Sequence, residues 1–201
     1  MKYKYITIER EYGSGGEKIA RETAKQCGYH CYGREILELV AEKYDCNVDE
    51  VEKYEENVTG SFLYSIYMMS KAQSGDPDML SGEGHLYLAE QTVIKELAEQ
   101  GPAIFVGHCA GAALEEKNDV LHVFIGADKE SKKQRCIEEY GIDKGRVESM
   151  RKRFDKKRSN YYYANTTRKW NDSNNYDLIL DSGKLGVDGC VAALKGLWTN
   201  L

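Results

Sequence analysis

The chain opens on an alternation. Residues 3–8 place β-forming side chains on a two-residue period and then give way to a glycine cluster, Gly13, Gly15 and Gly16. From Ile19 the period lengthens, and Ile19, Ala20, Thr23, Ala24 and Cys27 share one helical face closed by Gly28. Residues 29–32 read as a short second strand, and 34–44 as a helix burying Ile36, Leu37, Val40 and Ala41. Residues 45–60 are acidic and predict an exposed helix ending near Gly60. Residues 62–72 are apolar and aromatic, with Phe62, Ile66 and Met69 at helical spacing, a stripe that suits core packing better than base binding. Residues 73–84 collect Gly75, Pro77, Gly82 and Gly84, the best candidate hinge, before a longer helix over about 85–100.

Gly101-Pro102 ends that helix, and Ala103-Ile104-Phe105-Val106 is the continuous apolar run of a buried parallel strand, with Gly107 and His108 at its end. Residues 119–125 read as a second buried strand, 128–140 as a helix, 141–168 as a strongly basic helical segment. Residues 176–180 form the last strand, ending at Asp181-Ser182, and 187–198 the closing helix. Strands alternating with helices predict a parallel α/β sheet, whose ligands bind beyond the C-terminal strand ends. Residues 13–18, residues 107–111 and Asp181 all lie on that rim.

Composition narrows the class. A chain of 201 residues with 41% hydrophobic and 30% charged positions is one domain of ordinary size, with a sizeable core. Its net charge of −5 argues against a polycation built for nucleic acid. No apolar run approaches ~18 residues and no leader-like pattern opens the chain, so a soluble, cytoplasmic protein without membrane contact is expected. The six cysteines are scattered and suit reduced thiols. Cys27, His30 and Cys31 lack a fourth ligand at a usual zinc spacing, and no metal site is assigned to protein side chains.

The glycine cluster carries the candidate chemistry. Strand, glycine turn, helix is the geometry in which backbone N–H groups converge on an anion, and glycine lets backbone approach phosphate without a Cβ between. Gly13, Ser14, Gly15, Gly16, Glu17 and Lys18 form the candidate phosphate cradle; the bland alternative is an ordinary βα turn. The usual P-loop pattern is G-x-x-x-x-G-K-[ST], and here Gly16 stands where the lysine belongs. Lys18, in the first helical turn, is the candidate replacement.

The segment 146–169 reverses the sign of an acidic protein, with Arg151, Arg153, Lys157 and Arg158 among its cations. A charge run is commonly a solvated face. Beside a phosphate cradle it also suits a lid closing on a transferring phosphoryl group, since that reaction needs positioning and charge neutralisation above all. Tyr161-Tyr162-Tyr163 and Trp170 could stack on a base, although packing of the lid helix is the simpler reading.

Cradle, rim and basic helix together resemble a nucleoside monophosphate kinase, and most nearly the cytidylate kinase-like proteins. The similarity runs through Ile-Thr-Ile-Glu-Arg-Glu-Tyr-Gly-Ser-Gly-Gly at 6–16, Val-Gly-His-Cys-Ala-Gly at 106–111 and Val-Leu-His-Val-Phe-Ile at 120–125. It continues in Asp-Lys-Lys-Arg-Ser-Asn-Tyr-Tyr at 155–162, Lys-Trp-Asn-Asp at 169–172 and Tyr-Asp-Leu-Ile-Leu-Asp-Ser-Gly-Lys-Leu-Gly at 176–186. The resemblance implies a three-layer P-loop fold with a five-stranded parallel sheet ordered 2-3-1-4-5 and helices on both faces. It further implies a core of 1–32, 85–142 and 171–201, a substrate-binding insertion over about 33–84 and a lid over about 143–170. ATP with Mg²⁺ as donor and a pyrimidine monophosphate as acceptor follow from it. Two departures stand out: Gly16 for the loop lysine, and Gly107-His108-Cys109 where the family pattern has Gly-Arg-Asp. Arg34, His108 and Asp181 are the candidate acceptor contacts, with Asp181 and Ser14 also candidate Mg²⁺ or water contacts. The expected activity is a phosphotransferase; the alternative is a degenerate kinase that binds nucleotide or phosphate without transfer.

Overall fold

The computed structural model describes residues 3–44 and 82–199. The expectations for 45–60, for 62–72 and for 73–81 of the candidate hinge lie outside the described residues. Strand β1 (Tyr5–Arg10) leads to α1 (Gly16–Cys27), β2 (His30–Tyr32) and α2 (Glu35–Lys43). Then come α3 (Gly82–Gln100), β3 (Ala103–Val106), the short α4 (Ala110–Ala113), β4 (Val120–Gly126) and α5 (Lys129–Glu138). A basic helix α6 (Val147–Thr166), strand β5 (Leu178–Asp181) and α7 (Ser182–Thr199) complete the described elements. The strands form one parallel five-stranded sheet in the order β2-β3-β1-β4-β5.

The two-residue strand period divides the core into two faces. Tyr5, Ala103, Phe105 and Val120 point to one side, where α2, α3 and α4 cover them with Ile36, Leu37, Val93, Ile94 and Leu114. Ile6, Ile8, Ile104, Val106, Leu121, Val123 and Ile125 point to the other, against Ile19 and Ala20 of α1 and Leu194 and Trp198 of α7. Helix, sheet and helix therefore make the three layers. A smaller aromatic cluster of Phe124, Tyr161, Tyr162 and Trp170 fastens the C-terminal half of α6 to the sheet. Tyr161, Tyr162 and Trp170 pack in this cluster, and Tyr163 lies outside it.

Several boundaries move, each for a local reason. Strand β1 extends to Arg10 because β4 pairs Glu9 with Phe124 and Arg10 with Ile125, an assignment made by a partner strand and not by apolar alternation. Helix α1 begins at Gly16, three residues before its apolar face, because Gly15 is left-handed at the N-cap (φ 75°). The basic segment is helical only from Val147; before it Gly141 turns at φ 65° and the Asp143 carboxylate accepts from the Gly145 amide. The closing helix starts at Ser182 and is broken at Gly186 (φ 67°, ψ 176°). Residues 82–84, read as part of the hinge, belong to α3. Among the described residues no helix is long and apolar enough to cross a membrane, and Cys27, Cys31, Cys109, Cys136 and Cys190 are free thiols.

Candidate functional site: a glycine cradle between two cavities

The turn after β1 is tied from behind. Arg135 of α5 donates to the Gly13 carbonyl at 2.7 Å, and the Ser182 hydroxyl at the head of α7 donates to the Ser14 carbonyl. The Ser14 hydroxyl is fully buried and donates to the Glu11 carbonyl at 2.8 Å, while the Ser14 amide also bonds Glu11. Gly13 and Gly15 are left-handed at φ 83° and 75°. A Cβ on Gly13 would stand 2.8 Å from Cys136 Sγ and 2.9 Å from the Lys132 carbonyl, so the loop presses directly on α5. With its carbonyls held by the protein behind, the turn leaves amides to the front. Among the described residues, the amides of Gly15, Gly16, Glu17 and Lys18 make no hydrogen bond, as befits the first turn of a helix. Free amides at the positive end of a helix dipole are the chemistry that suits an anion.

Two cavities open on this turn. The first, about 690 Å³, is lined by residues 10–13 and 15–18, together with Arg21, Glu22, Lys25, Tyr140 and Arg158. The second, about 290 Å³, lies on the β3 side and is lined by Glu9, Arg34, Leu37, Gly107, His108, Cys109, Phe154, Lys157, Tyr161 and Tyr162. Arg10, Glu17 and Arg158 line both, so the cavities meet at a point flanked by two guanidinium groups. Arg158 is fixed there by donating to the Arg10 carbonyl at 2.9 Å and by lying over the Tyr12 ring at 5.8 Å.

Helix α6 is seated on this junction by polar contacts. Asp155 accepts from the Tyr12 amide at 2.6 Å; its burial pushes the carboxyl above its ordinary value, against that bond and Arg158. Tyr12 stacks on Phe154 with centroids 4.5 Å apart. Farther along, the Tyr161 hydroxyl donates to Glu90, which is fully buried in α3 and also holds His108 Nδ1 at 3.1 Å. His108 and Cys109 are both left-handed (φ 55° and 51°), a backbone conformation uncommon outside glycine. Helix α6, helix α3 and the β3 rim are thus linked through one buried carboxylate. The Glu9 carboxylate at the end of β1 accepts from the Trp170 indole at 2.9 Å.

The candidate residues separate by position. Gly13, Gly15, Gly16 and Lys18 line the first cavity, Arg34, His108 and Lys157 the second, and Glu17 and Arg158 both. Ser14, Arg151, Arg153 and Asp181 line neither. Arg151 is buried and pairs with Glu148 at 3.1 Å, and Arg153 is exposed beside Phe154. Arg153 stands one turn before Lys157 and Arg151 two turns before Arg158 on α6, so both lie toward the start of the helix, short of the cavity walls. Asp181 accepts from the Gly183 and Lys184 amides at 2.9 and 3.3 Å and so caps α7. Lys18 lies at the cavity wall, but its ammonium pairs with Glu139, the C-cap of α5, at 2.8 Å. Sequence reasoning passed over Arg10 and Glu90. Arg10 stood inside the quoted motif as one strand residue among others, and Glu90 had no signal beyond its place on a helix.

The residues present fit a phosphate chain: four unbonded amides, glycine where a Cβ would intrude, and cations at the junction. For Mg²⁺ the protein offers less. Among the described residues no group of three His, Cys, Asp or Glu side chains could hold a metal ion. Magnesium in such sites is held largely by phosphate oxygens and water, with one or two carboxylates, and Glu17 is the acid at the cavity junction.

Comparison with known proteins agrees with this architecture. Residues 5–184 match the model of the cytidylate kinase-like family. Among solved structures, the chain is similar to an uncharacterized protein from Eubacterium ventriosum ATCC 27560. The two share 26% identity over 94% of each chain, with a TM-score of 0.70. It is also similar to shikimate kinase from Bacteroides thetaiotaomicron, at 13% identity over 96% of this chain and 97% of that one, with a TM-score of 0.54. At that identity the likeness concerns the fold. No curated protein matches the chain.

Proposed function

Since this chain belongs to the cytidylate kinase-like family, we propose that it transfers the γ-phosphoryl group of ATP to a small phosphorylated acceptor, a pyrimidine nucleoside monophosphate first among them. The observation that carries the reading is the meeting of two cavities at Arg10 and Arg158, one walled by a glycine cradle and the other by Arg34, His108 and Lys157. The amides of 15–18 hold the donor's phosphates. An acceptor phosphate oxygen attacks the γ-phosphorus in line, the bond to the bridging oxygen breaks, and ADP leaves. The acceptor oxygen is already anionic, so no general base is required. Arg158 neutralises charge on the moving group, and the cations of the second cavity orient the acceptor, which is most of what phosphoryl transfer asks of a protein. Mg²⁺, held with the nucleotide, would supply further neutralisation of the β- and γ-oxygens. The reading is of a cytoplasmic enzyme acting on small molecules, not on nucleic acid or membranes.

A degenerate kinase is the second reading, favoured by the engagement of Lys18 with Glu139 and by Gly16 in place of the loop lysine. ADP release from ATP-Mg²⁺ over a panel of nucleoside monophosphates separates the two. Turnover of order ~1 s⁻¹ or above, lost in Arg158→Ala by roughly 10²-fold or more, supports transfer. Thermal stabilisation by ATP without turnover on any acceptor supports the binding module.

A further inference from the structure

We propose that Arg10 takes the place of the missing P-loop lysine, a role that rests on the phosphotransferase reading above. Gly16, at the lysine's position, has no room for a side chain: a Cβ there would lie 2.6 Å from the Arg10 Cβ and 3.0 Å from its Cγ. The same arginine reaches on to β3, where a Cβ on Gly107 would lie 2.3 Å from Arg10 Nη1. Two glycines, one heading α1 and one ending β3, therefore form a slot that holds Arg10 across the mouth shared by both cavities. A lysine at 16 and an arginine at 10 exclude one another sterically.

The charge of Arg10 is uncommitted. Among the described residues its guanidinium makes no ion pair or hydrogen bond, whereas Lys18, Arg21, Lys132 and Arg135 nearby are all paired with glutamates. A half-buried guanidinium without an internal acceptor, on a side chain that packs its stem against Gly16 and lines both cavities, is arranged for an anion. Its planar fork suits two oxygens of one phosphoryl group, or one oxygen from each of two. Gly16 is therefore an accommodation of Arg10 and not a loss of function. The lysine's work is done from the preceding strand.

The test compares wild type with Arg10→Gln, Arg10→Lys, Arg10→Gly, Gly16→Lys and the exchange Arg10→Gly/Gly16→Lys. Calorimetry with inorganic tripolyphosphate needs no acceptor: Arg10→Gln loses roughly 10- to 100-fold in affinity, the effect of one charge-assisted hydrogen-bonding group, and Arg10→Lys loses less. With the fastest monophosphate, kcat falls by roughly 10²-fold in Arg10→Gln while KM changes far less, and the exchange variant regains part of it. Thermal melts show Gly16→Lys destabilised, with the penalty relieved in the exchange. Tripolyphosphate affinity and kcat of a folded Arg10→Gln within threefold of wild type would overturn the proposal. If Arg10→Gln does not fold, additivity of the two exchange substitutions in melting temperature overturns it instead. Absence of turnover in wild type defeats the transferase reading alone, and Arg10 is then judged on tripolyphosphate binding.

Discussion

Gly13→Ala tests whether the cradle is held by contact with α5. Two costs act together at this position. An L residue at φ 83° is strained by roughly 1–2 kcal/mol relative to glycine. The new methyl would also stand 2.8 Å from Cys136 Sγ and 2.9 Å from the Lys132 carbonyl. The carbonyl belongs to helix backbone and cannot swing aside, so forced overpacking adds roughly 1–3 kcal/mol. The sum is about 2–5 kcal/mol, or a fall in melting temperature of about 4–20 °C for a domain of this size. Gly28→Ala is the internal control, because Gly28 has a similar φ of 71° with nothing within 4 Å of its would-be Cβ. It should show the conformational cost alone. Adding Cys136→Ala to Gly13→Ala removes the sulfur contact but leaves the carbonyl, so a double-mutant cycle should show favourable coupling and partial rescue. Urea unfolding at neutral pH measures all four variants, and nucleotide-induced stabilisation reports the cradle. If Gly13→Ala is no more costly than Gly28→Ala, or if the cycle is additive within about 0.5 kcal/mol, the loop does not rest on α5 as argued.

Other consequences can be measured on the same protein. Tyr161→Phe removes a hydroxyl donor from the buried Glu90; a loss of about 1–3 kcal/mol is expected, with a raised KM for the acceptor, and unchanged unfolding would contradict the link from lid to rim. Asp155 is held above its ordinary carboxyl range in the folded chain, chiefly by burial. Between its unfolded value near 3.8 and the higher folded one, the native state keeps the extra proton, so this group's contribution falls as pH rises through that window. Asp155→Asn stays neutral and can still accept from the Tyr12 amide, so the difference between wild-type and mutant stability profiles should slope across that window and level above it. A flat difference from pH 4 to pH 8 would refute the assignment.

What could be read without coordinates was whatever depends on neighbours along the chain. The continuous apolar runs at 103–106 and 120–125 and the helical faces of 19–27 and 36–41 are local patterns, and burial follows them because apolar surface must leave water. The cradle was legible for the same reason: three glycines directly after a strand serve the backbone before any tertiary contact exists. The sheet order came through resemblance, because which strands pair is a long-range choice. Only the folded chain decided the direction of each cation. Lys18 and Arg151 found glutamates, Asp181 found helix amides, and Arg10 was threaded between two glycines that lie 91 residues apart in the sequence (107 − 16). Side-chain destinations of that kind depend on rotamer, register and the space left by distant backbone, none of which a local pattern encodes.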